Sequence, residues 1–301
     1  MNIHVIIVTY NGSEWIEKCI NSLLQSNISL EINVIDNSSS DDTASIIKNK
    51  FPEVYLVESD ENLGFGKANN VLLRRAISDH ADYVFLINQD AWIESDTIQG
   101  LVKIQMENPE YGILSPIHLN GSGKAFDHNF SIYCNENDCP SFISDLYLNS
   151  IKEVYDINFV NAAMWLMSST CLQQVGLFDP IFPHYGEDTD YVNRVKSKHL
   201  RIGLAPHYCG NHHREDRMPS VERDRIIKKL GYICMLKNLN NSFLSAISLM
   251  LKIYVLSLFS DLTRLQFKSF FYEVRSGLII ISLIPKIARA RKLCSKDGAY
   301  I

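Results

Sequence analysis

Acidic side chains close apolar runs at several points of this chain. Tyr83-Val84-Phe85-Leu86-Ile87 is a short aromatic and branched run that reads as a buried strand, and it breaks off into Asn88-Gln89-Asp90. Glu31-Ile32-Asn33-Val34-Ile35 ends in Asp36, Ile3-His4-Val5-Ile6-Ile7-Val8 ends in Thr9 and Tyr10, and Glu187-Asp188 opens a helical stretch in the second half. Open α/β sheets bind ligands in the crevice beyond the carboxyl ends of their strands. A carboxylate at such an end can hold a divalent metal and, through it, a diphosphate; Asp90 is the residue given that task. The ends at Thr9/Tyr10, Asp36 and 88–90 should converge on one crevice.

The elements that must position these residues alternate regularly. Apolar strands are expected at 3–9, 31–36, 54–58 and from 83, with helices at 14–26 (capped by Ser13), 43–50 and 67–78 between them. The third strand leads to its helix through the glycine-bearing loop Asn62-Leu63-Gly64-Phe65-Gly66. Strand, helix, strand in this order predicts a doubly wound α/β domain with a mostly parallel sheet and helices on both faces. Residues 115–156 are rich in Gly, Asn, Ser and Pro and read as irregular loops and short strands. A strand is expected at 157–168, a short helix at 170–175, a helix from Glu187 to about 198, a strand at 201–205, and a polar segment at 206–219 with His207, His212 and His213.

Length and composition fit this picture. The 301 residues, 46% hydrophobic and 21% charged, suit one large domain with an appendage. Seven cysteines, an odd number without CxxC spacing, argue for reduced thiols and against a disulfide framework or a zinc site. Met1 leads straight into a short apolar run with no basic segment before it, so a secretory signal is not expected and a cytoplasmic setting is. The net charge of −5 is unevenly divided: residues 1–220 carry −14 and residues 221–301 carry +9. An acidic body suits a metal-using domain and excludes a nucleic-acid binder, whereas a basic tail suits an anionic surface. That tail, 221–301, reads as helices at 221–238, 243–262 and 265–282, none a clean transmembrane span. Apolar faces flanked by Lys and Arg leave two readings, in-plane association with an anionic membrane or packing on the body or on a second copy of the chain.

The ordered set Val5-Ile6-Ile7-Val8-Thr9-Tyr10-Asn11-Gly12, Val34-Ile35-Asp36-Asn37-Ser38-Ser39, Asn62-Leu63-Gly64-Phe65-Gly66, Asn88-Gln89-Asp90 and Gly186-Glu187-Asp188 resembles the family 2 inverting glycosyltransferases of GT-A fold over about residues 1–215. The Asn-Gln-Asp form is similar to rhamnosyltransferase-like enzymes of bacterial surface polysaccharide assembly. The resemblance implies a nucleoside-diphosphate sugar donor, dTDP- or UDP-linked, dTDP-rhamnose among them, and a glycan or lipid-linked acceptor at the inner face of the membrane. Thr9 and Tyr10 would line the nucleoside pocket, and Asp36 would accept the N–H of a pyrimidine base. Asn62, Gly64 and Lys67 would lie near ribose and phosphates. Asp90 would hold Mg²⁺ or Mn²⁺, with Asn88 standing where the family usually has a first Asp, and with His212 or His213 completing the ligand set. Asp188 would be the base that takes the acceptor proton, and Glu187 would orient the acceptor or hold the loop. Asp190 would serve the helix N-terminus. Trp92 and Trp165 would either stack on a sugar or fill the core.

The rivals lack their signatures. A dinucleotide-binding dehydrogenase needs Gly-x-Gly-x-x-Gly after the first strand, where Thr-Tyr-Asn-Gly-Ser-Glu stands instead. A nucleotidyltransferase needs a glycine-rich basic loop there. A non-catalytic nucleotide-sugar-binding or membrane-assembly protein would keep the tail without needing Asp36, Asp90 and Asp188 together.

Overall fold

The structure is a computed structural model that describes residues 1–214 and 220–301; the last residues of the polar segment read at 206–219 lie outside it. The first half alternates as β1 (Ile3–Thr9), α1 (Ile16–Leu24), β2 (Glu31–Asp36), α2 (Thr43–Lys50), β3 (Tyr55–Glu58), α3 (Phe65–Ser78), β4 (Tyr83–Asn88) and β5 (Ala91–Ile93). It continues with α4 (Thr97–Glu107), β6 (Tyr111–Asn120), α5 (His128–Tyr133), α6 (Phe142–Tyr147), β7 (Tyr155–Asp156), β8 (Met164–Ser168), α7 (Ser169–Val175), α8 (Glu187–Ser197) and β9 (Arg201–His212). Three helices follow: α9 (Val221–Lys237), α10 (Phe243–Thr263) and α11 (Phe267–Cys294).

One mixed sheet joins the described strands in the order β3-β2-β1-β4-β8-β6-β9-β5, with β7 pairing the other half of β9's outer edge. β1 runs parallel to β2 and β4, which puts Thr9 beside Asp36 and Val8 beside Asn88. β8 is antiparallel to both β4 and β6. The unbroken apolar character of β1 follows from burial on both faces: Val5 and Ile7 enter the core under α1 and α4, and Ile6 enters the opposite core with α3, α7 and α8. β3 is the exposed edge and the shortest of the parallel strands.

Several expectations are corrected. Ser13 does not cap the first helix; its backbone N–H goes to Asp41, and the Gly12 carbonyl instead receives the N–H groups of Trp15 and Ile16. Residues 115–156 are less irregular than their composition suggests, holding most of β6 with α5 and α6. The first eight positions of β6 are buried on both faces, so no polar alternation marks it as a strand. The strand read at 157–168 begins only at Met164. β9 does not stop at residue 205. It bulges at Pro206, where its register with β6 jumps from Pro116/Ala205 to Ile117/Cys209, and then pairs on to His212. That bulge carries the histidine into the sheet, opposite Ala91 of β5 and Asn120 of β6.

The carboxyl-terminal helices also differ from expectation. α11 runs through Pro285 to Cys294. α10, with 21 residues and a mean hydropathy of 1.8 over its most apolar 18-residue window, is by length and composition long and apolar enough to cross a membrane. α9 packs on α8, α10 and α11, and its Leu230, Ile233 and Leu236 form a third core with Phe182, Met250, Ile280 and Ile287. Charged groups are buried in the same joint. The Lys237 ammonium pairs with Asp179 and, at 3.0 Å, with Asp190, while Arg194 pairs with Asp190 at 2.9 Å and donates to the carbonyls of Val175 and Leu177. The chain returns after α11, where the Leu177 N–H donates to the Ala299 carbonyl and Lys198 pairs with Asp297. All seven cysteines are free, as their spacing suggests.

Candidate active site

The carboxyl ends of β1, β2 and β4 open on one cleft of about 1490 Å³, whose far wall is made by the start of α8, α5 and α9. Tyr10, Asn62, Gly64, Lys67, Asn88, Asp90, Glu187 and Asp188 all line it. Residues from four separate stretches of sequence therefore meet, as the strand-end rule requires. A single small ligand is usually held in roughly 300–1,000 Å³, so this cleft has room for two substrates.

Thr9 and Asp36 stand behind the lining. The Thr9 hydroxyl donates at 2.5 Å to Gln89 Oε1, which also receives the Tyr10 N–H at 2.8 Å, and Gln89 Nε2 returns a bond to the Tyr10 carbonyl at 3.2 Å. Gln89 is thus the clamp between the ends of β1 and β4, a role the sequence reading left unassigned. A Cβ on Gly12 would sit 2.3 Å from Gln89 Oε1, which is why a residue without one follows Asn11. The Asp36 carboxylate accepts from the N–H of Ser39 at 3.0 Å and its hydroxyl at 2.5 Å, the turn-forming bond of an acid at i to residue i+3. Its neighbour Asn37 reaches the cleft instead. Asn37 Nδ2 donates to Asn62 Oδ1 at 3.0 Å and its Oδ1 receives the Leu63 N–H, so the second strand's end and the loop before α3 form one rigid rim. Gly64, at φ +76°, closes that rim. A Cβ there would fall 1.8 Å from the Pro183 carbonyl oxygen, so the glycine serves the approach of two loops across the cleft.

Asp90 and His212 are brought together. His212 is fully buried behind the lining, with Nε2 3.5 Å from Asp90 Oδ1 and 3.2 Å from the Asn88 amide nitrogen, and with Nδ1 3.6 Å from the Asp127 carboxylate. Two donor atoms 3.5 Å apart can share one cation, and a carboxylate behind the far ring nitrogen is the usual backing of a ligating histidine. The donor set therefore fits a hard divalent ion that takes its remaining oxygens from a diphosphate. Asn88, where a second acid would stand, contributes at most a neutral oxygen. His213 is not among the lining residues: its ring stacks on Trp15 at 4.1 Å and its N–H donates to the Asp90 carbonyl at 2.9 Å, while His207 is on the surface. Among the described residues, the cluster of three potential ligands that does occur, His4, Glu31 and Asp79, lies at the amino ends of the strands, where Arg75 already pairs with both acids.

α8 presents the acidic pair at its first two positions. Glu187 is 6% exposed, and burial first, then the charge of Asp188, pushes its carboxyl up to about 8. One of its oxygens finds no partner. Asp188 is half-buried. Burial raises its carboxyl above the ordinary value, against the Thr189 N–H that donates to it at 2.7 Å and the positive charge of Arg214, which also lines the cleft. The pair is therefore one carboxyl held neutral at pH 7 beside one that ionises first, a division that suits hydrogen-bond donor and proton acceptor. Asp190 is corrected: it is the buried partner of Arg194 and Lys237, not a free charge at the helix start. Neither tryptophan lines the cleft. Trp165 is fully buried in β8, and Lys18 sits 3.2 Å over the Trp92 ring.

Asn37, Gln89, Arg214 and Tyr133 are among the lining or clamping residues that sequence reasoning passed over. The first two lie inside motifs already noted, so their polarity at strand ends was the available signal. Tyr133 sits in α5, where no periodicity pointed to the site.

Comparison with known proteins agrees with this geometry. The family model "Glycosyl transferase family 2" matches residues 4–173. The low-salt glycan biosynthesis hexosyltransferase Agl10 of Haloferax volcanii is 26% identical over 212 residues, 67% of this chain, and the chain spans 64% of that relative's length. The N-acetylglucosaminyl-diphospho-decaprenol L-rhamnosyltransferase of Mycobacterium tuberculosis is 24% identical over 219 residues, 64% of this chain and 69% of its own. Among solved structures, the mannosyltransferase PcManGT from Pyrobaculum calidifontis, in complex with GDP-Man and Mn²⁺, superimposes with a TM-score of 0.60 at 17% identity, over 93% of this chain and 75% of that one. S. aureus TarS 1-349 in complex with UDP does so with 0.58 at 16% identity, over 98% and 88%. The fold is of the GT-A type, as the ordered motifs implied.

Proposed function

The chain belongs to glycosyl transferase family 2, and from that premise we propose that it moves a sugar, with inversion, from a pyrimidine nucleoside-diphosphate donor to a hydroxyl of a glycan or lipid-linked acceptor. The observation that carries this reading is that Asp90 and the Glu187–Asp188 pair face one cleft large enough for both substrates. In the transfer, the acceptor oxygen bonds the anomeric carbon as the bond from that carbon to the diphosphate oxygen breaks. The leaving diphosphate keeps the electron pair, and the acceptor's proton passes to Asp188. Glu187, neutral at pH 7, donates to an acceptor oxygen and holds it in line. Asp90, Asn88 and His212 would hold a Mg²⁺ or Mn²⁺ ion, which when bound neutralises charge on the departing diphosphate. A rhamnosyl donor and a lipid-diphosphate acceptor are supported by the likeness to the mycobacterial N-acetylglucosaminyl-diphospho-decaprenol L-rhamnosyltransferase.

A thermal-shift screen of the full chain against UDP-, dTDP- and GDP-sugars with Mg²⁺ or Mn²⁺ tests the donor, because a ligand bound only by the folded state raises its stability by about 2.7 kcal/mol at a hundredfold excess over Kd. UDP- or dTDP-sugars should raise the melting temperature; a preference for GDP-mannose would overturn the pyrimidine reading. In Asp90→Ala the Mn²⁺-dependent part of the donor's calorimetric affinity should vanish, and equal affinities with and without Mn²⁺ in wild type would remove the metal from the scheme.

Glu187→Gln gives a third check. Glutamine copies the neutral carboxyl, so the variant should work near wild-type rate at pH 6–7 and lose any inflection of kcat/KM near pH 8. The sign for stability follows from the raised carboxyl. Its burial carries no ionisation penalty below the unfolded value near 4.5 and a growing one as pH rises to about 8. The melting temperature of the variant should therefore exceed that of wild type at pH 8.5 and match it at pH 4.5.

A further inference from the structure

We propose that the outward faces of α10 and α11 form a surface that lies in the plane of an anionic lipid bilayer. The inference stands apart from the donor and acceptor reading, since the exposed faces it concerns lie outside the cleft.

A helix on a protein surface ordinarily turns polar residues to water. α10 does not. Its inward face, with Ala246 and Met250, is buried in the carboxyl-terminal bundle, yet its other side exposes Leu244 by 80%, Val255 by 58% and Phe259 by 65%. Leu251 and Leu262 continue the same stripe, spaced by three, four or seven residues. Only 11% of the most apolar window of this helix is buried. On α11, Phe271, Leu278 and Ile281 are exposed as well. So large a run of unpartnered apolar side chains marks an interaction surface.

Charge selects the occupant. Lys252 on α10 and Lys268, Arg275 and Lys286 on α11 are exposed among these apolar positions, and residues 221–301 as a whole carry +9. Apolar side chains interleaved with lysine and arginine complement acyl chains beneath anionic headgroups. A second copy of the chain would bring the same basic side chains against themselves.

Packing selects the orientation. Twenty-one residues at about 1.5 Å each would just span a hydrocarbon core of about 30 Å. But the inward side of α10 is held by α9 and α11. The end of α11 is tied back, its Arg291 donating to the carbonyls of Leu236, Asn238 and Asn241. A crossing α10 would have to pull α9 from the body together with the buried Lys237. The helix therefore meets the bilayer sideways, with one face wet by lipid.

The test is flotation of the full-length protein with vesicles of phosphatidylglycerol and phosphatidylcholine, against vesicles of phosphatidylcholine alone. Binding should need the anionic lipid, weaken at high salt, and fall by about tenfold or more in the double variant Leu251→Glu/Phe259→Glu. Melting temperature and the donor-induced thermal shift of that variant should stay at wild-type values, which separates this proposal from failure of the donor reading. Folded wild-type protein that ignores anionic vesicles would overturn the proposal. So would a dimer seen by light scattering that the double variant dissolves without any vesicle binding. Retention of bilayer-bound protein through alkaline carbonate extraction would overturn the in-plane orientation in favour of a span.

Discussion

Asp188→Asn should bind the donor as wild type does and transfer sugar about 10²–10⁴-fold more slowly, the usual worth of a positioned general base. The substitution is nearly isosteric. An asparagine oxygen can still accept the Thr189 N–H that fixes the start of α8, so the helix and its neighbours have no reason to move. What is lost is the ability to take a proton from the acceptor hydroxyl. Initial rates at saturating donor, paired with calorimetric donor binding, read the two effects separately. Because burial raises the Asp188 carboxyl, the rising limb of the wild-type kcat/KM profile should lie above the ordinary aspartate range, and the variant should lack it. Transfer near the wild-type rate in Asp188→Asn, with a large loss in Glu187→Gln, would exchange the roles of the two acids.

Lys237→Met should cost about 3–5 kcal/mol, since removing one partner leaves buried charge uncompensated. The ammonium is 1% exposed; burial pulls its proton affinity down, and the Asp190 and Asp179 carboxylates more than reverse that. With Lys237 gone, Arg194 still serves Asp190, but Asp179 keeps only hydrogen bonds, among them the Ile181 N–H at 2.8 Å. The sign with pH is fixed by Asp179, whose carboxyl burial pushes up and Lys237, with the hydrogen bonds around it, brings back below its ordinary value. That contribution is present above the unfolded value near 3.8 and is lost as pH falls through the depressed folded value. Urea unfolding should therefore show the full difference at pH 7 and a smaller one in strong acid. Lys237→Met/Asp179→Asn should recover part of the loss, and a double variant no better than the single would mean the lysine acts through packing alone.

What the sequence disclosed was set by periodicity. β1 to β4 are apolar runs ended by polar residues, and their order alone predicts the crevice on which Tyr10, Asn88 and Asp90 meet. β6 and the second half of β9 were hidden for different reasons. β6 is buried on both faces without alternation, and Pro206 looks like a strand's end when it is a bulge inside one. The histidine's place followed from that bulge, so its nearness to the cleft had to come from the resemblance. Asp36 and Gly64 show the limit of reading residue types. Each stands where the motif suggests, yet the carboxylate of one is engaged with Ser39 and the missing Cβ of the other makes room for Pro183. Asp190 shows it again, because an acid in a first helical turn looks like a dipole partner until the basic residues packed against it are seen.

The return of the chain to the loop after α7 has a consequence for how the molecule comes into being. During synthesis the half that carries the strand ends emerges first and can fold early. The loop before α8 receives one backbone partner, the Ala299 carbonyl, only when synthesis has passed that residue. The nascent protein should thus assemble its nucleotide-facing rim well before the support behind its acidic pair is in place, and transfer competence should wait for the segment that follows α11.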